Sequence, residues 1–315
     1  MDPLEDVLSL TRATSHLSAS FSAGGRWGVR FDPPAGVKFN VVRRGACWLA
    51  VDGVPDPLRL REGDCFLLTR PVAFTLASDL DLPTEPAGPL FVAAVDGVAR
   101  AGDGDEVFLI GGAFSFTDRA QALLLDGLPP VIQVAAETPE AAAVRRAVGE
   151  IDAELQRNAP GARLVAEHLA IVMLVRILRL HLARDAGHTS GWLAGLTDPT
   201  VVAVLRRMHA RPAHAWTVAE LARAVAVSRS TLAARFKQVI GKGPLEYLTA
   251  WRIELAADRI RRGEETNATI AREVGYGSES AFSVAFKRAT GLSPRAYRAA
   301  LARSEQGRTR ALAGS

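Results

Sequence analysis

A repeat inside the chain constrains its fold more than any other feature of the sequence. Two segments match at an offset of 50 residues, the difference between positions 278 and 228. The matched pairs are Ser228 with Ser278, Ser230 with Ser280, Leu232 with Phe282, Phe236 with Phe286, Lys237 with Lys287, Gly241 with Gly291, Pro244 with Pro294 and Tyr247 with Tyr297. Because such a series at one offset marks a repeated structural element, we expect each copy to be one supersecondary unit.

The first copy predicts a helix-turn-helix over residues 217–240. Thr217 and Glu220 match a capping box, in which both side chains accept hydrogen bonds from backbone N–H groups at the start of a helix. Apolar residues at i, i+3, i+4 and i+7 then give that helix one buried stripe. Ser228 is placed to cap a second helix, which ends at Gly241. Two short helices and a tight turn make a helix-turn-helix.

The second copy predicts the same arrangement over residues 267–290. Its turn is Gly275-Tyr276-Gly277, Ser278 caps the following helix, and Gly291 ends it. Between the copies, residues 245–261 are typical of a connecting helix about 25 Å long at 1.5 Å per residue. Successive major-groove segments on one face of B-DNA lie about 34 Å apart. A connector of this order lets the second helix of each copy enter neighbouring grooves.

The charge of the chain is concentrated around the repeat. Residues 1–198 hold 18 basic and 25 acidic side chains, a net charge of −7, whereas residues 199–303 hold 18 and 8, a net charge of +10. A basic module behind an acidic one predicts that the C-terminal part meets a polyanion, of which nucleic acid is the obvious example. A helical bundle with a solvated basic face would explain the charge, but it would not explain two turn-linked helix pairs at matched spacing.

The N-terminal half has a different pattern. Short apolar runs separated by Gly, Pro and Asp turns over residues 37–134 predict a β-barrel or sandwich, and residues 139–157 and 162–184 predict two helices. We therefore expect an α+β protein with an N-terminal cupin-like β-barrel, connecting helices and a C-terminal all-α domain. The expected regions are a ligand-sensing domain at 1–136, connecting helices at 138–186, a linker at 187–199, a DNA-binding domain at 200–303 and a flexible tail at 304–315.

The second of the two predicted helices is apolar around much of its surface. Its large apolar residues are Leu164, Leu169, Val172, Val175, Leu178 and Leu182. A helix of this kind is either buried in a core or shared with a second subunit. We favour the second alternative and expect a homodimer.

The second copy also resembles the AraC/XylS family of transcription regulators. The resemblance rests on Ile270-Ala271-x-x-Val274-Gly275-Tyr276 and on Phe286-Lys287-Arg288-x-x-Gly291-x-Ser293-Pro294-x-x-Tyr297-Arg298. It implies a sequence-specific regulator of promoter DNA that reads bases with the residues Arg229, Ser230, Ala233, Ala234, Glu279, Ser280, Ala281, Ser283 and Val284. The expected phosphate contacts are Lys237, Lys242, Lys287, Arg288, Arg295 and Arg298. Ala233, Ala234 and Val284 lack long polar side chains, so their contacts would be van der Waals contacts, such as those to thymine methyl groups.

Residues 44–53 and 61–71 resemble the two hairpin motifs of a cupin barrel. Catalytic cupins hold a metal with histidine and glutamate on these strands, but no histidine falls in them here, and Phe74 occupies the place of the second motif's ligand. We therefore expect no metal, no cofactor and no enzymatic activity. Arg43, Trp48, Phe66 and Phe74 are the candidates for a small-molecule pocket, although an aromatic residue on a barrel strand is more often simply part of the core.

The remaining features narrow the class of protein. Cys47 and Cys65 have apolar neighbours, which predicts buried thiols and no disulfide framework, and no run of about 20 apolar residues could span a membrane. We expect a cytoplasmic bacterial regulator that binds double-stranded promoter DNA, a small-molecule effector and RNA polymerase. The alternatives are a cupin enzyme carrying a basic module, which metal analysis would reveal, and a nonspecific DNA-organising protein, which competition with random duplex would reveal.

Overall fold

The chain forms two compact units in a computed structural model. The structure describes residues 2–11, 13–116, 124–125, 127–157, 159–184 and 191–313, and for residue 11 and residues 304–313 only the backbone. One unit contains residues 12–121 and 125–189, and we call it the sheet unit. The other contains residues 1–11, 122–124 and 190–315, and we call it the helical unit.

The described strands all lie in the sheet unit. They are β1 Thr14–Leu17, β2 Ser20–Gly24, β3 Gly28–Phe31, β4 Val37–Arg44, β5 Ala46–Val51, β6 Leu58–Arg61, β7 Cys65–Leu68, β8 Phe74–Ala77, β9 Glu85–Pro86, β10 Val98–Gly102, β11 Val107–Ser115 and β12 Val131–Val134. The first sheet has the order β10-β2-β11-β4-β7-β12, with β1 also paired to β11, and the second has the order β6-β5-β8-β3-β9. The fold class is α+β as expected, but the described strands form two sheets rather than one closed barrel.

Alternating burial shows how these strands build a core. On β5, Cys47, Leu49 and Val51 are buried while the residues between them are partly exposed, which is the period-2 pattern of a strand with one face inward. The inward residues join one apolar cluster with residues of β2, β7, β8 and β11. Both cysteines are free and buried, as the sequence predicts. Burial raises the pKa of each thiol to about 12, so both stay protonated near neutral pH.

The predicted connecting helices belong to the sheet unit. Its helices are α2 Ala87–Val92, a 3-10 helix at Pro139–Ala141, α3 Ala142–Arg157 and α4 Ala162–Arg184. The Arg176 guanidinium on α4 donates to the carbonyl of Ala143 on α3 at 2.7 Å. On the other side of α4, Arg163 donates to the carbonyl of Leu17 on β1 at 2.7 Å, and the Ser15 hydroxyl donates to the carbonyl of Glu167. These bonds tie both helices to the sheet, so residues 138–186 are not a separate region.

The apolar residues of α4 serve two environments. Leu178 is fully buried, and Leu169, Val175 and Leu182 are half-buried. Leu164 and Val172 remain 59% and 42% exposed. The helix is therefore packed on one side, as the first alternative from the sequence requires. It leaves an apolar strip open on another side, and contact of that strip with a second subunit stays a prediction.

The helical unit contains the repeat. Its helices are α1 Pro3–Thr11, a 3-10 helix at Ala194–Leu196, α5 Pro199–Ala210, α6 Val218–Ala224, α7 Arg229–Ile240, α8 Pro244–Arg262, α9 Asn267–Glu273, α10 Glu279–Thr290 and α11 Pro294–Ala313. Helix α11 continues to Ala313, so residues 304–313 of the expected tail have a helical backbone.

Two segments outside the repeat are built into the helical unit. Helix α1, expected within the ligand-sensing domain at 1–136, contacts α5 and α8 and buries Leu4 and Val7. The described half of the predicted linker is also packed. Trp192 and Leu193 are each 3% exposed, and Gly191 donates a backbone hydrogen bond to Val239 on α7. Residues 187–190 of that linker lie outside the described residues.

None of the helices in the described part of the chain is long and apolar enough to cross a membrane.

Candidate nucleic-acid interface

The second helix of each repeat copy begins and ends in the same way. The Ser228 hydroxyl accepts from the Thr231 N–H at 3.1 Å at the start of α7, and the Ser278 hydroxyl accepts from the Ala281 N–H at 3.2 Å at the start of α10. Both helices end at a left-handed glycine, Gly241 with φ 84° and Gly291 with φ 78°. Because a left-handed residue stops the helix and only glycine adopts it freely, the repeat fixes both ends of both helices.

The turns of the two copies differ by one residue. Helix α6 spans 218–224 and α9 spans 267–273, an offset of 49, whereas α7 and α10 keep the offset of 50. The second helix-turn-helix therefore begins at its cap, Thr266, rather than at residue 267 as predicted. The left-handed turn position is Ala226, with φ 55°, in the first copy and Gly275, with φ 88°, in the second.

The predicted capping box at Thr217 forms only in part. The Thr217 hydroxyl accepts from the Glu220 N–H at 3.1 Å, as expected. The Glu220 carboxylate instead pairs with Nε2 of His214 at 2.8 Å, so it holds the loop that precedes α6. The competing partner, a histidine six residues earlier, could not be identified from the capping pattern alone.

Buried aromatic residues anchor the inner faces of α7 and α10. Phe236 and Phe286 are fully buried, and each meets a repeat-related tyrosine edge to face, Tyr247 at 5.9 Å and Tyr297 at 5.4 Å between ring centroids. Aromatic pairs in this geometry add to the free energy gained from burial. The same contact at the same place in both copies orients both helices, so their opposite faces point outward.

The nine predicted base-reading residues lie on those outer faces. Ala233 and Ser283 are half-buried, and the others are exposed. Val284 is 69% exposed, the most of the large apolar side chains of α7 and α10. The hydroxyls of Ser230 and Ser280 lie 3.0 and 3.1 Å from the hydroxyls of Ser228 and Ser278, the residues that cap their helices. The outer faces of α7 and α10 thus both carry mostly small or polar side chains, with a serine next to the capping serine in each.

The predicted phosphate contacts fall into two groups. Lys237, Lys242, Lys287, Arg288 and Arg295 are exposed, and none of them forms an ion pair with another described residue. Arg298 is only partly exposed, and its guanidinium donates to the Glu265 carbonyl at 3.0 Å and to Oδ1 of Asn267 at 3.2 Å. Arg298 therefore holds the segment before α9, and a phosphate would have to compete with these bonds.

Sequence analysis missed a buried polar cluster behind the first helix-turn-helix. The Trp192 indole donates to the Tyr247 hydroxyl at 2.8 Å, and that hydroxyl lies 2.7 Å from Nε2 of His209. Nδ1 of His209 lies 3.1 Å from the Asp6 carboxylate on α1, and the ring stacks on Trp251 at 3.9 Å between centroids. Burial lowers the pKa of His209 to about 3, so the ring is neutral at pH 7.

The neutral histidine fixes the direction of these hydrogen bonds. The Asp6 carboxylate can only accept, so Nδ1 of His209 donates to it, and Nε2 accepts from the Tyr247 hydroxyl. That hydroxyl in turn accepts from Trp192. Residues from α1, the former linker, α5 and α8 are thereby joined in one chain of bonds. Only its tyrosine lies in a predicted helix, and nothing in the local sequence marks the four residues as partners.

The connecting helix α8 serves both copies. It is 19 residues long, or about 28 Å at 1.5 Å per residue, slightly longer than predicted. Tyr247 near its start packs on Phe236 of the first helix-turn-helix, and Trp251 stacks on His209 of α5. Further along, Ile253, Ala257 and Ile260 belong to the core of the second helix-turn-helix. The helix is thus part of the packing of the whole helical unit and not a solvent-exposed connector.

The four candidate pocket residues do not line one space. Phe66 and Phe74 are at most 1% exposed, lie 6.0 Å apart and belong to the core of the sheet unit. Trp48 lies between the inward residues of β5, on the opposite face of that strand, where the Arg59 guanidinium covers its ring at 5.1 Å. Arg43 pairs with Asp152 of α3. The expectation of a common pocket is therefore wrong, because strand alternation sends these side chains in different directions.

Arg43 lines a different cavity of the sheet unit. This groove has a volume of about 470 Å³, and its charged residues are Arg43, Arg44, Arg100, Glu62, Asp105 and Asp152. Two of its arginines are already paired, Arg43 with Asp152 and Arg44 with Asp105. Arg100 is exposed.

One histidine of the sheet unit, His16, lies on β1, outside the two hairpin motifs, and is exposed. Among the described residues, no three histidine, cysteine or acidic side chains lie close enough together to hold a metal ion.

Comparisons with known proteins agree with this division. A cupin family model matches residues 2–183, and a helix-turn-helix domain model matches residues 221–300. An AraC-like transcription regulator of Streptomyces antibioticus is 62% identical over 298 residues, covering 95% of this chain and 98% of its own length. A second AraC-like transcription regulator, from Streptomyces lividans, is 61% identical over the same share of each chain.

Solved structures of DNA-binding domains are also similar to part of the chain. The DNA-binding domain of AdpA, a global transcriptional factor solved in complex with a target DNA, is 30% identical over 33% of this chain and 92% of its own, with a TM-score of 0.31. The two full-length relatives and the two domain models are what decide the family. With a cupin domain followed by two helix-turn-helix units, this chain belongs to the AraC-like family of DNA-binding transcription regulators.

Proposed function

We propose that α7 and α10 each enter a major groove and read bases with their outer faces. The observation that carries this proposal is the matched pair of helices in one basic unit, both 12 residues long, with the same cap, the same glycine stop and the same inward aromatic anchor. A B-DNA major groove admits one α-helix, and the residues near its N-terminus contact the base edges. The proposed readers are the nine residues from Arg229 to Ala234 and from Glu279 to Val284 named above.

The chemistry of the readers predicts what kind of site is recognised. Arg229 can donate two hydrogen bonds to a guanine, and Glu279 can accept one from a cytosine amino group. Ala234, Ala281 and Val284 offer methyl groups that suit the methyl group of thymine. We therefore propose a site in which a few polar contacts are combined with apolar contacts to thymine.

The exposed basic residues around these helices are the proposed phosphate contacts. Lys237 and Lys287 occupy equivalent places one turn before the ends of α7 and α10, and Arg288 and Arg295 flank the second of them. Because these residues form no ion pairs with the described part of the protein, their charges are available to the DNA backbone. Arg298 is the weakest member of the set, since its guanidinium already holds two groups of the protein.

The experiment that tests this function is selection of bound duplexes from a random DNA pool at physiological salt, read by sequencing. The full chain is the appropriate sample, because α1 and Trp192 complete the helical unit. We expect a consensus with two half-elements about one helical turn apart. A pool without enrichment would contradict sequence-specific recognition and leave a nonspecific DNA-binding protein.

Two variants separate the proposed roles. Lys287→Ala should weaken binding to consensus and random DNA equally and reduce the slope of log K against log salt by about 0.9. Ser283→Ala should change the preferred sequence and leave the salt slope unaltered. Arg26→Ala is the matched control, because Arg26 is an exposed basic residue of the sheet unit that lies outside α4. Equal effects of the first two variants on both kinds of DNA would contradict the assignment.

We propose further that the protein works as a homodimer whose copies meet along α4. The support is the apolar strip on that helix, where Leu164, Val165 and Val172 are all more than 40% exposed. In a two-fold symmetric dimer, the strips of both copies would be buried against one another. Two-fold symmetric dimers are the commonest oligomers of soluble proteins. A dimer would also present two helical units to DNA.

The sheet unit is the proposed sensor of a small molecule. The support is its groove of about 470 Å³, a volume within the range of ligand pockets, with three arginines at its rim. An arginine can grip a carboxylate with two parallel hydrogen bonds, so we propose an anionic effector. Loss of effector-dependent DNA binding in Arg100→Ala would support this site, and an unchanged response would exclude it. We also propose that the protein contacts RNA polymerase at the promoter. Because bacterial promoters lie in the cytoplasm, the proposed location is cytoplasmic.

A further inference from the structure

Helix α8 is not the only connection between the two helix-turn-helix units. The loop of residues 211–216, which precedes the first unit, reaches the turn of the second unit at Gly275. The side chain of Arg252, from the middle of α8, joins the same place. All three elements belong to the helical unit.

The loop is ordered by its own contacts. The Trp216 indole donates to the Arg211 carbonyl at 3.1 Å, and the Arg211 guanidinium lies over the Trp216 ring at 5.9 Å. His214 meets the same ring edge to face at 4.4 Å and pairs with Glu220 on α6. Because this loop is held in shape and tied to the first helix-turn-helix, whatever it touches is positioned relative to that unit.

Arg252 fastens the loop to the connecting helix. Its Nε donates to the Pro212 carbonyl at 2.7 Å, and one of its terminal nitrogens donates to the His214 carbonyl at 2.8 Å. A guanidinium is planar and rigid, so two bonds to two carbonyls fix the orientation of the loop as well as its distance. Arg252 is half-buried. The His214 carbonyl also accepts from the Trp216 N–H at 2.8 Å, so Arg252 is the second donor to that group.

Gly275 brings the second unit against this loop at very short range. A Cβ atom added at Gly275 would lie 2.6 Å from the Ala213 carbonyl oxygen and 2.7 Å from the Ala213 Cα atom. Both are backbone atoms, which cannot rotate away as a side chain could. Gly275 also has φ +88°, which side chains rarely allow. The position therefore requires glycine for two reasons, the turn itself and the approach of the loop from the other unit.

We propose that loop 211–216, Arg252 and Gly275 form a latch that fixes the angle and separation between α7 and α10. The latch thereby sets the spacing between two DNA half-elements that the protein accepts. This inference rests on the proposed function, in which each of these helices reads one half-element. Two units joined only by one helix can change their relative orientation when that helix bends or twists. Two units joined at a second place as well cannot rotate about the connecting helix.

The physical consequence is a narrow tolerance for spacing. One added base pair moves the second half-element by about 3.4 Å and turns it by roughly 35° around the DNA axis. A rigid pair of helices cannot follow both changes, so one helix loses its base contacts. A pair joined by α8 alone can follow part of the change. Arg252 is a positioning residue, since it does not contact DNA itself but holds the two recognition helices in their relative orientation.

The first test measures the free protein and does not depend on DNA. Spin labels at Gln238→Cys on α7 and Ala289→Cys on α10 report the distance between the helices by pulsed electron resonance, and both sites are exposed while the two native cysteines are buried. We expect a narrow distance distribution that broadens in Arg252→Met. Arg259→Met is the matched control, because Arg259 lies on the same helix but pairs with Glu265 at 2.9 Å. An equally narrow distribution in Arg252→Met would overturn the latch.

The second test measures affinity for duplexes in which the selected half-elements are separated by zero to four extra base pairs. The parent chain should lose at least about tenfold in affinity for one extra base pair, the effect of losing one or two good base contacts. Arg252→Met should flatten this profile and keep its affinity for a single half-element, and Arg252→Lys, which retains charge and reach, should give an intermediate profile. If the parent chain selects a consensus but Arg252→Met has the same profile, the latch is wrong. If the parent chain selects no consensus, the proposed function fails, and the spin-label distances alone decide whether the latch exists.

Discussion

The hydroxyl of Tyr247 offers the sharpest test of how the helical unit is held together. Replacement by phenylalanine keeps the ring that packs on Phe236 but removes the oxygen shared by Trp192 and His209. The variant therefore leaves a buried N–H donor and a buried ring nitrogen without their partner. The change is confined to hydrogen bonding, since the volume of the two side chains is nearly the same.

The expected cost follows from the burial of these groups. Trp192 is 3% exposed and His209 is 4% exposed, so water cannot replace the missing oxygen at either one. A buried polar group left without a partner costs about 1–3 kcal/mol. Two such groups, with some relaxation of the histidine toward Asp6, predict a loss of about 2–4 kcal/mol in the free energy of unfolding. For a unit of this size, that corresponds to a fall of roughly 8–16 °C in the melting temperature.

Differential scanning calorimetry of the full chain measures this fall. The matched control is Tyr297→Phe, at the repeat-equivalent position, because Tyr297 packs on Phe286 in the same way and its hydroxyl makes no side-chain hydrogen bond with the described residues. We expect the control to change stability by less than about 0.5 kcal/mol. Equal losses in Tyr247→Phe and Tyr297→Phe would refute the reasoning, since the rings and not the bonds would then carry the effect.

Three further predictions follow from single positions. Arg298→Ala should lower the free energy of unfolding by about 1–2 kcal/mol, because it removes the donor to the Glu265 carbonyl. Arg295→Ala should leave stability unchanged and weaken DNA binding, because Arg295 is exposed. Urea unfolding and a binding titration distinguish the two variants, and the opposite result for each would contradict the structure. Ala226→Gly should raise the free energy of unfolding by up to about 1 kcal/mol, since a φ of 55° strains alanine. A lower melting temperature of this variant in thermal unfolding would show that the turn is not strained. Val172→Glu should weaken the proposed dimer in sedimentation, and an unchanged association constant would exclude the α4 strip as its interface.

Two of these predictions have matched controls in the chain. Ala224→Gly, at the last residue of α6 and two residues before the strained turn, should not stabilise the protein, because the φ of Ala224 is not positive. Val92→Glu on α2 replaces a valine that is 90% exposed and lies outside the α4 strip, so self-association should not change. If Val92→Glu and Val172→Glu acted alike, the effect would come from added charge and not from the strip.

Local patterns were sufficient for the repeat and the family. Caps, glycine stops and apolar stripes act within a few residues, so Ser228, Gly241, Ser278 and Gly291 could be assigned from the sequence, and the structure confirms all four. The outer faces of α7 and α10 follow from the same periodicity, because the inner face of each helix is set by its phenylalanines. Most of the candidate site was predictable for this reason.

Patterns failed where a second partner came from elsewhere in the chain. Glu220 matched a capping box but pairs with His214, and Arg298 matched a phosphate contact but holds the segment before α9. In the sheet unit, four plausible pocket residues point in different directions, because the sheet pairings that place them are not visible in any one strand. Each error has the same origin, a local signal that a more distant group overrides.

The sequence by itself determined the two helix-turn-helix units, their basic charge and the cupin-like half, because these depend on short-range periodicity, composition and motif spacing. Only the tertiary structure decided which residues complete the helical unit. Asp6 is more than two hundred positions from His209, and Ala213 is more than sixty from Gly275, yet both pairs are in contact. Contacts of this kind depend on how whole elements pack, and packing is set by the combined burial of many side chains rather than by any local pattern.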